Sequence, residues 1–207
     1  MATAVKICGI TRVEDALAAA RAGAHAIGLV FHAPSPRCVT PVQAAEIVRV
    51  LPPFVTAVAL FVDAPAEKVR ATLAQVPVGL LQFHGAEPPA FCRQFGLPYV
   101  KAVRMRAGVD LLQYARDYHD ARALLLDTYV EEMHGGSGVA FDWGLMPSGL
   151  ALPVILSGGL TVENVSAAVR RLRPGAVDVS SGVESAKGVK DVGKIAAFIR
   201  EVRNADG

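Results

Sequence analysis

The chain has 207 residues, 52% hydrophobic and 19% charged, enough for one well-filled core and too apolar for a disordered protein. Its 21 basic and 19 acidic residues nearly balance without a long like-charge run, which excludes the footprint of a nucleic-acid binder or of a protein held on an acidic membrane surface. Cys8, Cys38 and Cys92 make an odd count without metal-ligand spacing, MATAVKICG lacks a leader pattern, and no apolar run approaches the ~18 residues of a membrane span, so a cytoplasmic protein with free thiols is expected.

Taken in order, Ala4 to Cys8 reads as a short strand, and Gly9-Ile10-Thr11 turns into the alanine-rich helix VEDALAAARAG, closed by Gly23. His25 to Phe31 is a second strand, followed by the loop His32 to Thr40. Thr40 and Pro41 supply an N-cap and an N1 proline for a helix through Val50. Strands are expected at Phe54 to Val62, Val78 to Phe83, Pro98 to Val103 and Ala121 to Asp127. Helices are expected from Pro65 to Ala74, Glu87 to Phe95 and Val109 to Asp117. A glycine-rich loop, TYVEEMHGGSG, and a helical turn, FDWGLM, precede two further strands, Val154 to Leu156 and Ala176 to Val179, joined by an amphipathic crossover helix. Asp191 to Arg203 closes the chain as a helix.

Eight strand-then-helix units at roughly 25-residue spacing predict an α/β fold, a (β/α)8 TIM barrel forming one domain over residues 1–207. In that architecture the active site lies at the C-terminal ends of the strands. The last two strands end in Ser157-Gly158-Gly159 and Ser180-Ser181-Gly182. Glycines admit close approach of backbone to ligand, and successive N–H groups there bind anions, so Gly158, Gly159, Ser180 and Ser181 are expected to grip a phosphate.

Other strand ends carry the chemistry. Cys8 is a base or nucleophile, or a small buried hydrophobe; Lys6 shares its strand face, and an ammonium one layer beneath would lower the thiol from its unperturbed value of about 8.5. Asp127 follows a purely apolar run and suits a general acid with a raised pKa, or a cap of the turn that follows. The loop after it, with Gly135, Gly136, Ser137 and Gly138, has the composition of a lid. Arg37, on a proline-stiffened loop, suits bidentate recognition of a carboxylate, or faces solvent. Gln82 and His84 close the fourth strand and are candidates for hydrogen bonds to substrate. Asp178 shares the inward parity of Ser180 and bonds either a substrate hydroxyl or the phosphate loop. The five histidines show no metal spacing, so no metal is expected.

KICGIT at 6–11, SPR at 35–37, LQFHG at 81–85, LLLDT at 124–128, GGSG with FDW at 135–143, LSGGLTVENV at 156–165 and DVSSGVES at 178–185 form an ordered set. In it the chain resembles the phosphoribosylanthranilate isomerases, (β/α)8 enzymes of tryptophan biosynthesis, over nearly its whole length. Cys38 stands where an aromatic residue is common in that family, and Phe83 replaces an aliphatic one. The resemblance implies Cys8 as general base, Asp127 as general acid, Arg37 near the anthranilate group and phosphate on Gly158, Gly159, Ser180 and Ser181. The implied reaction is the Amadori rearrangement of N-(5-phosphoribosyl)anthranilate to 1-(2-carboxyphenylamino)-1-deoxyribulose 5-phosphate, which requires neither metal nor organic cofactor. A small-molecule substrate is the expected partner, and a monomer or weak homodimer the expected assembly. Alternatives are a sugar-phosphate epimerase, an indole-glycerol-phosphate-type synthase, for which Lys101 gives the only footing, and a catalytically silent barrel that binds a phosphometabolite.

Overall fold

The computed structural model describes residues 2–106, 108–127 and 149–207. Eight strands, β1 (Ala4–Ile7), β2 (Ala26–Val30), β3 (Thr56–Phe61), β4 (Leu80–Phe83), β5 (Tyr99–Arg104), β6 (Ala123–Asp127), β7 (Val154–Ser157) and β8 (Ala176–Val179), form a closed parallel barrel. Closure comes from β1 pairing with β8, with Lys6 opposite Asp178 and Ile7 opposite Val179. Helices α1 (Val13–Ala22), α2 (Pro41–Arg49), α3 (Ala66–Leu73), α4 (Pro89–Arg93) and α5 (Leu111–Asp117) follow the first five strands. The sixth, α6 (Val165–Leu172), follows β7, and α7 (Val192–Asp206) closes the chain. The expected fold is therefore the observed one. Among the described residues no helix is long and apolar enough to cross a membrane.

Alternation along each strand sorts side chains between two environments. Val100, Ala102, Ala123 and Leu125, with Leu80 and Ile155 against them, form one cluster inside the barrel, and Cys8, Val30 and Leu60 with Val62 form another. The opposite parity faces the helices. There Phe31 stacks on Phe61 with centroids 5.4 Å apart, and Phe83 meets Phe91, Phe95 and Tyr99. Burying each such ring contributes roughly 1.5–3 kcal/mol, so this outer layer carries much of the stability. The interior can then hold polar groups.

Local signals are realised at the caps. Thr40 accepts from the Gln43 backbone N–H while the Gln43 side chain accepts from the Thr40 backbone N–H, a reciprocal cap with Pro41 at the first helical position. Gly23 ends α1 at φ +100°, a left-handed geometry natural to glycine.

Two expectations are corrected. The third strand begins at Thr56, and Phe54, 94% exposed, lies outside it, because Pro52-Pro53 makes a turn in which the Val55 N–H bonds the Pro52 carbonyl. The eighth unit does not run directly into its helix: a one-turn 3₁₀ helix (Ser181–Val183) and an antiparallel hairpin of β9 (Glu184–Ala186) and β10 (Val189–Lys190) intervene. Lys187-Gly188 forms its two-residue loop, with Gly188 at φ +78°.

Candidate active site

The C-terminal ends of the strands surround a cavity of about 400 Å³ lined by Cys8, Arg37, Gln82, His84, Asp127, Gly158, Gly159, Asp178, Ser180 and Ser181. The fold thus brings together the residues that the sequence scattered over 174 positions, Cys8 to Ser181, on one surface. The expected lid residues Gly135, Gly136, Ser137 and Gly138, and the FDWGLM turn, lie outside the described residues.

Cys8 is buried at 6% exposure just beyond β1, its N–H bonded to the Val179 carbonyl at 2.8 Å. Lys6 lies beneath it on the same face. Gly28 on β2 makes room for both, since a Cβ there would stand 2.7 Å from the Cys8 Sγ and 3.1 Å from the Lys6 Cε. The ammonium also meets an opposite charge: Lys6 Nζ donates to Asp178 Oδ1 at 2.9 Å, across the β1–β8 register. Burial therefore pushes the Cys8 thiol up, Lys6 only partly opposes it, and the Asp178 carboxylate adds to the rise. Burial, with Asp178 in a lesser part, thus overturns the expected lowering of the thiol. Burial opposes the charge on Lys6, but Asp178 and Cys8 outweigh it and hold the ammonium above its ordinary pKa.

Asp127, at the end of β6, is partly buried and in contact with a histidine: its Oδ2 lies 3.0 Å from His84 Nε2. Gln82, 1% exposed, places its Nε2 3.0 Å from His84 Nδ1, so Gln82, His84 and Asp127 form a chain of contacts that fixes the carboxylate at the mouth. Asp178 Oδ2 also accepts from Ser157 Oγ at 3.4 Å, which ties it to the end of β7, where the next loop begins.

That loop meets the loop after β8 at close range. A Cβ on Gly182 would run into the Leu160 carbonyl oxygen, so only glycine lets the two backbones touch. Gly158 and Gly159 have φ of +85° and +64°, and the turn is locked where Asn164 Oδ1 accepts from the Thr161 N–H and Asn164 Nδ2 donates to the Gly159 carbonyl. Such paired left-handed residues line up backbone dipoles for an anion.

Arg37 reaches the cavity, with one edge of its guanidinium engaged within the protein. Nε donates to Glu184 Oε1 and Nη2 to Oε2, each at 2.7 Å, so one edge of the guanidinium holds an internal carboxylate. Lys190 Nζ donates to the same Oε1 at 2.9 Å and to the Ser180 carbonyl at 3.1 Å. Burial pushes Glu184 up, yet hydrogen bonds from Arg37 and Lys190 outweigh it and hold the carboxyl below its usual range. Sequence reasoning missed Glu184 and Lys190. The available signal was Lys187-Gly188 as a tight hairpin turn, which would have folded both residues back under the mouth.

Lys101 is not in the cavity. It is 2% exposed on the helix-facing side of β5, donating to Glu87 Oε2 at 2.9 Å and to the Gly85 carbonyl at 2.6 Å, with the Tyr118 ring 5.7 Å away. This removes the lysine that the synthase alternative needed. Among the described residues no group of three or more His, Cys, Asp or Glu could hold a metal ion.

A closed parallel barrel whose C-terminal mouth gathers a thiol, carboxylates and two glycine-containing loops defines a (β/α)8-barrel enzyme. Residues 5–201 match the model of the N-(5′-phosphoribosyl)anthranilate (PRA) isomerase family. The chain is 59% identical to the N-(5′-phosphoribosyl)anthranilate isomerase of Nitrosospira multiformis, covering 98% of this chain and 97% of that one, and 59% identical to that of Azotobacter vinelandii, covering 97% of each. The crystal structure of the Thermotoga maritima phosphoribosyl anthranilate isomerase superposes with a TM-score of 0.85 at 41% identity, over 98% of this chain and 99% of that one. A second solved isomerase, in complex with reduced 1-(o-carboxyphenylamino)-1-deoxyribulose 5-phosphate, gives 0.83 at 38% identity over 98% and 99%. The chain belongs to the N-(5′-phosphoribosyl)anthranilate isomerase family.

Proposed function

We propose that Cys8 and Asp127 are the base and acid of an aldose–ketose isomerization in tryptophan biosynthesis, the rearrangement of N-(5′-phosphoribosyl)anthranilate to 1-(2-carboxyphenylamino)-1-deoxyribulose 5-phosphate. The observation that carries the assignment is their placement on one cavity that also holds the paired loops of Gly158, Gly159, Ser180 and Ser181.

Asp127 protonates the furanose ring oxygen, the C1′–O bond breaks, and the anilino nitrogen's lone pair forms an iminium. The cation acidifies the C2′ proton, which the Cys8 thiolate removes to give an enolamine. Gain of a proton at C1′ and loss of one from the C2′ hydroxyl complete the ketone. No electrons leave the substrate, so the chain's own acid and base suffice. A raised thiol pKa gives a stronger base but a smaller fraction of thiolate, so the reaction speeds up with pH. His84 and Gln82 hold Asp127, the two glycine loops hold the phosphate, and Arg37 faces the anthranilate end.

The fall in anthranilate fluorescence on adding freshly made phosphoribosylanthranilate tests the activity, and exhaustive chelation should leave the rate unchanged. A chelator-sensitive rate restored by a divalent ion would favour the metal-dependent epimerase instead. The same reading takes 1–207 as one domain of a cytoplasmic protein, monomeric or weakly dimeric, which sedimentation over a concentration series tests.

A further inference from the structure

Glu184 is a buried carboxylate with no part in the proton transfers, and it bridges Arg37 and Lys190. Arg37 donates to both of its oxygens, and Lys190 donates to one of them while also donating to the carbonyl and, at 3.4 Å, the hydroxyl of Ser180. One carboxylate between two cations leaves a net positive charge beside the cavity. Gly9, the residue after Cys8, is wedged into the same contact: a Cβ there would run into the Arg37 Cδ and stand 3.0 Å from the Ser180 Oγ. The Lys194 Nζ donates to the Glu184 backbone carbonyl at 2.9 Å, so the residue is held through its main chain as well as its carboxylate.

A guanidinium offers two edges that can each hold a pair of oxygens, one from Nε and Nη2 and one from Nη1 and Nη2. Glu184 takes the first. We infer that Glu184 is a positioning residue for Arg37: it fixes the guanidinium so that the remaining edge meets the carboxylate of the substrate, and through Lys190 it ties that grip to the phosphate loop at Ser180. The two anion-binding ends of the mouth thereby keep a set separation, matched to a substrate with a carboxylate at one end and a phosphate at the other. This rests on the isomerase reading above.

The test is a double-mutant cycle of Glu184→Gln and Arg37→Ala, read as KM and kcat for phosphoribosylanthranilate. A second readout is the inhibition constant of the analogue in which aniline, without a carboxylate, replaces anthranilate. Glu184→Gln should raise KM by about 10–100-fold, the scale of a lost charge-assisted interaction, with a smaller fall in kcat. In the Arg37→Ala background it should add less than about twofold, because residues acting through one another are not additive. The aniline analogue keeps the phosphate but has nothing for the oriented edge to hold, so it should be affected clearly less than phosphoribosylanthranilate. Equal effects of Glu184→Gln in both backgrounds, or on both compounds, would overturn the role. If Glu184→Gln does not fold, Glu184→Asp enters the same cycle and is judged by the same criteria. A wild-type enzyme inert to phosphoribosylanthranilate overturns the isomerase reading and this inference with it, whereas an active wild type with an additive cycle overturns the role of Glu184 alone.

Discussion

Lys6 Nζ lies 2.9 Å from Asp178 Oδ1, directly beneath Cys8, and after burial these two opposed charges weigh most on the thiol. Burial raises the thiol most; the ammonium favours the thiolate, the carboxylate opposes it, and burial prevails. Asp178→Asn removes the opposing charge and should move the Cys8 titration to lower pH, whereas Lys6→Met leaves Asp178 alone and should move it higher. Thiolate absorbance against pH, with Cys38 and Cys92 replaced by alanine, reads both. Shifts in the same direction would show that the ion pair does not control the thiol.

The acid and base are tested separately. A positioned proton-transfer group contributes typically ~10²–10⁴-fold, so Cys8→Ala and Asp127→Asn should each lower kcat by about that factor with KM little changed. Cys8→Ser should recover little, since a hydroxyl is a far weaker base. Cys92→Ala is the control, being on the helix-facing side, and should leave kcat within about twofold. Near-wild-type turnover in folded Cys8→Ala would return Cys8 to the role of a small buried hydrophobe.

The phosphate grip depends on backbone shape. Gly159 has φ +64°, where a residue with a Cβ costs roughly 1–2 kcal/mol, so Gly159→Val should raise KM and let inorganic phosphate compete less well. Gly182→Ala should act in the same direction from the other side, by forcing the Leu160 carbonyl away. Steady-state inhibition by phosphate measures both, and an unchanged inhibition constant in either variant would place the phosphate elsewhere.

Alkaline stability should follow Cys92. Burial pushes its thiol from 9.0 up to about 12, with Lys101 opposing, so the folded state holds this proton more tightly than the unfolded chain. Its contribution is complete below pH 9 and is lost as pH rises from 9 towards 12. Urea midpoints should therefore fall across that range, and less steeply in Cys92→Ala. Parallel pH dependences would assign the loss to other groups, such as Tyr118, raised to about 12 mainly by burial.

The sequence by itself determined the eight strands, their order, and which residues stand at their C-terminal ends. Those properties are local: side chains alternate along a strand, and a strand end is marked by the glycine, serine or acid that follows the apolar run. Thr40 with Gln43 and the left-handed Gly23 are likewise settled within a few residues. What only the tertiary structure decided is which charge each of these residues meets. Lys6 finds Asp178 across 172 positions, Arg37 finds Glu184 across 147, and His84 finds Asp127 across 43. Lysine beside cysteine on one strand face implies an activated thiol, which fails because the closed barrel buries Cys8 and brings Asp178 to Lys6; a lone arginine on a stiff loop implies a waiting fork, and one edge of it is taken by Glu184. Electrostatic character depends on separations of about 3 Å, and these exist only once the barrel has closed.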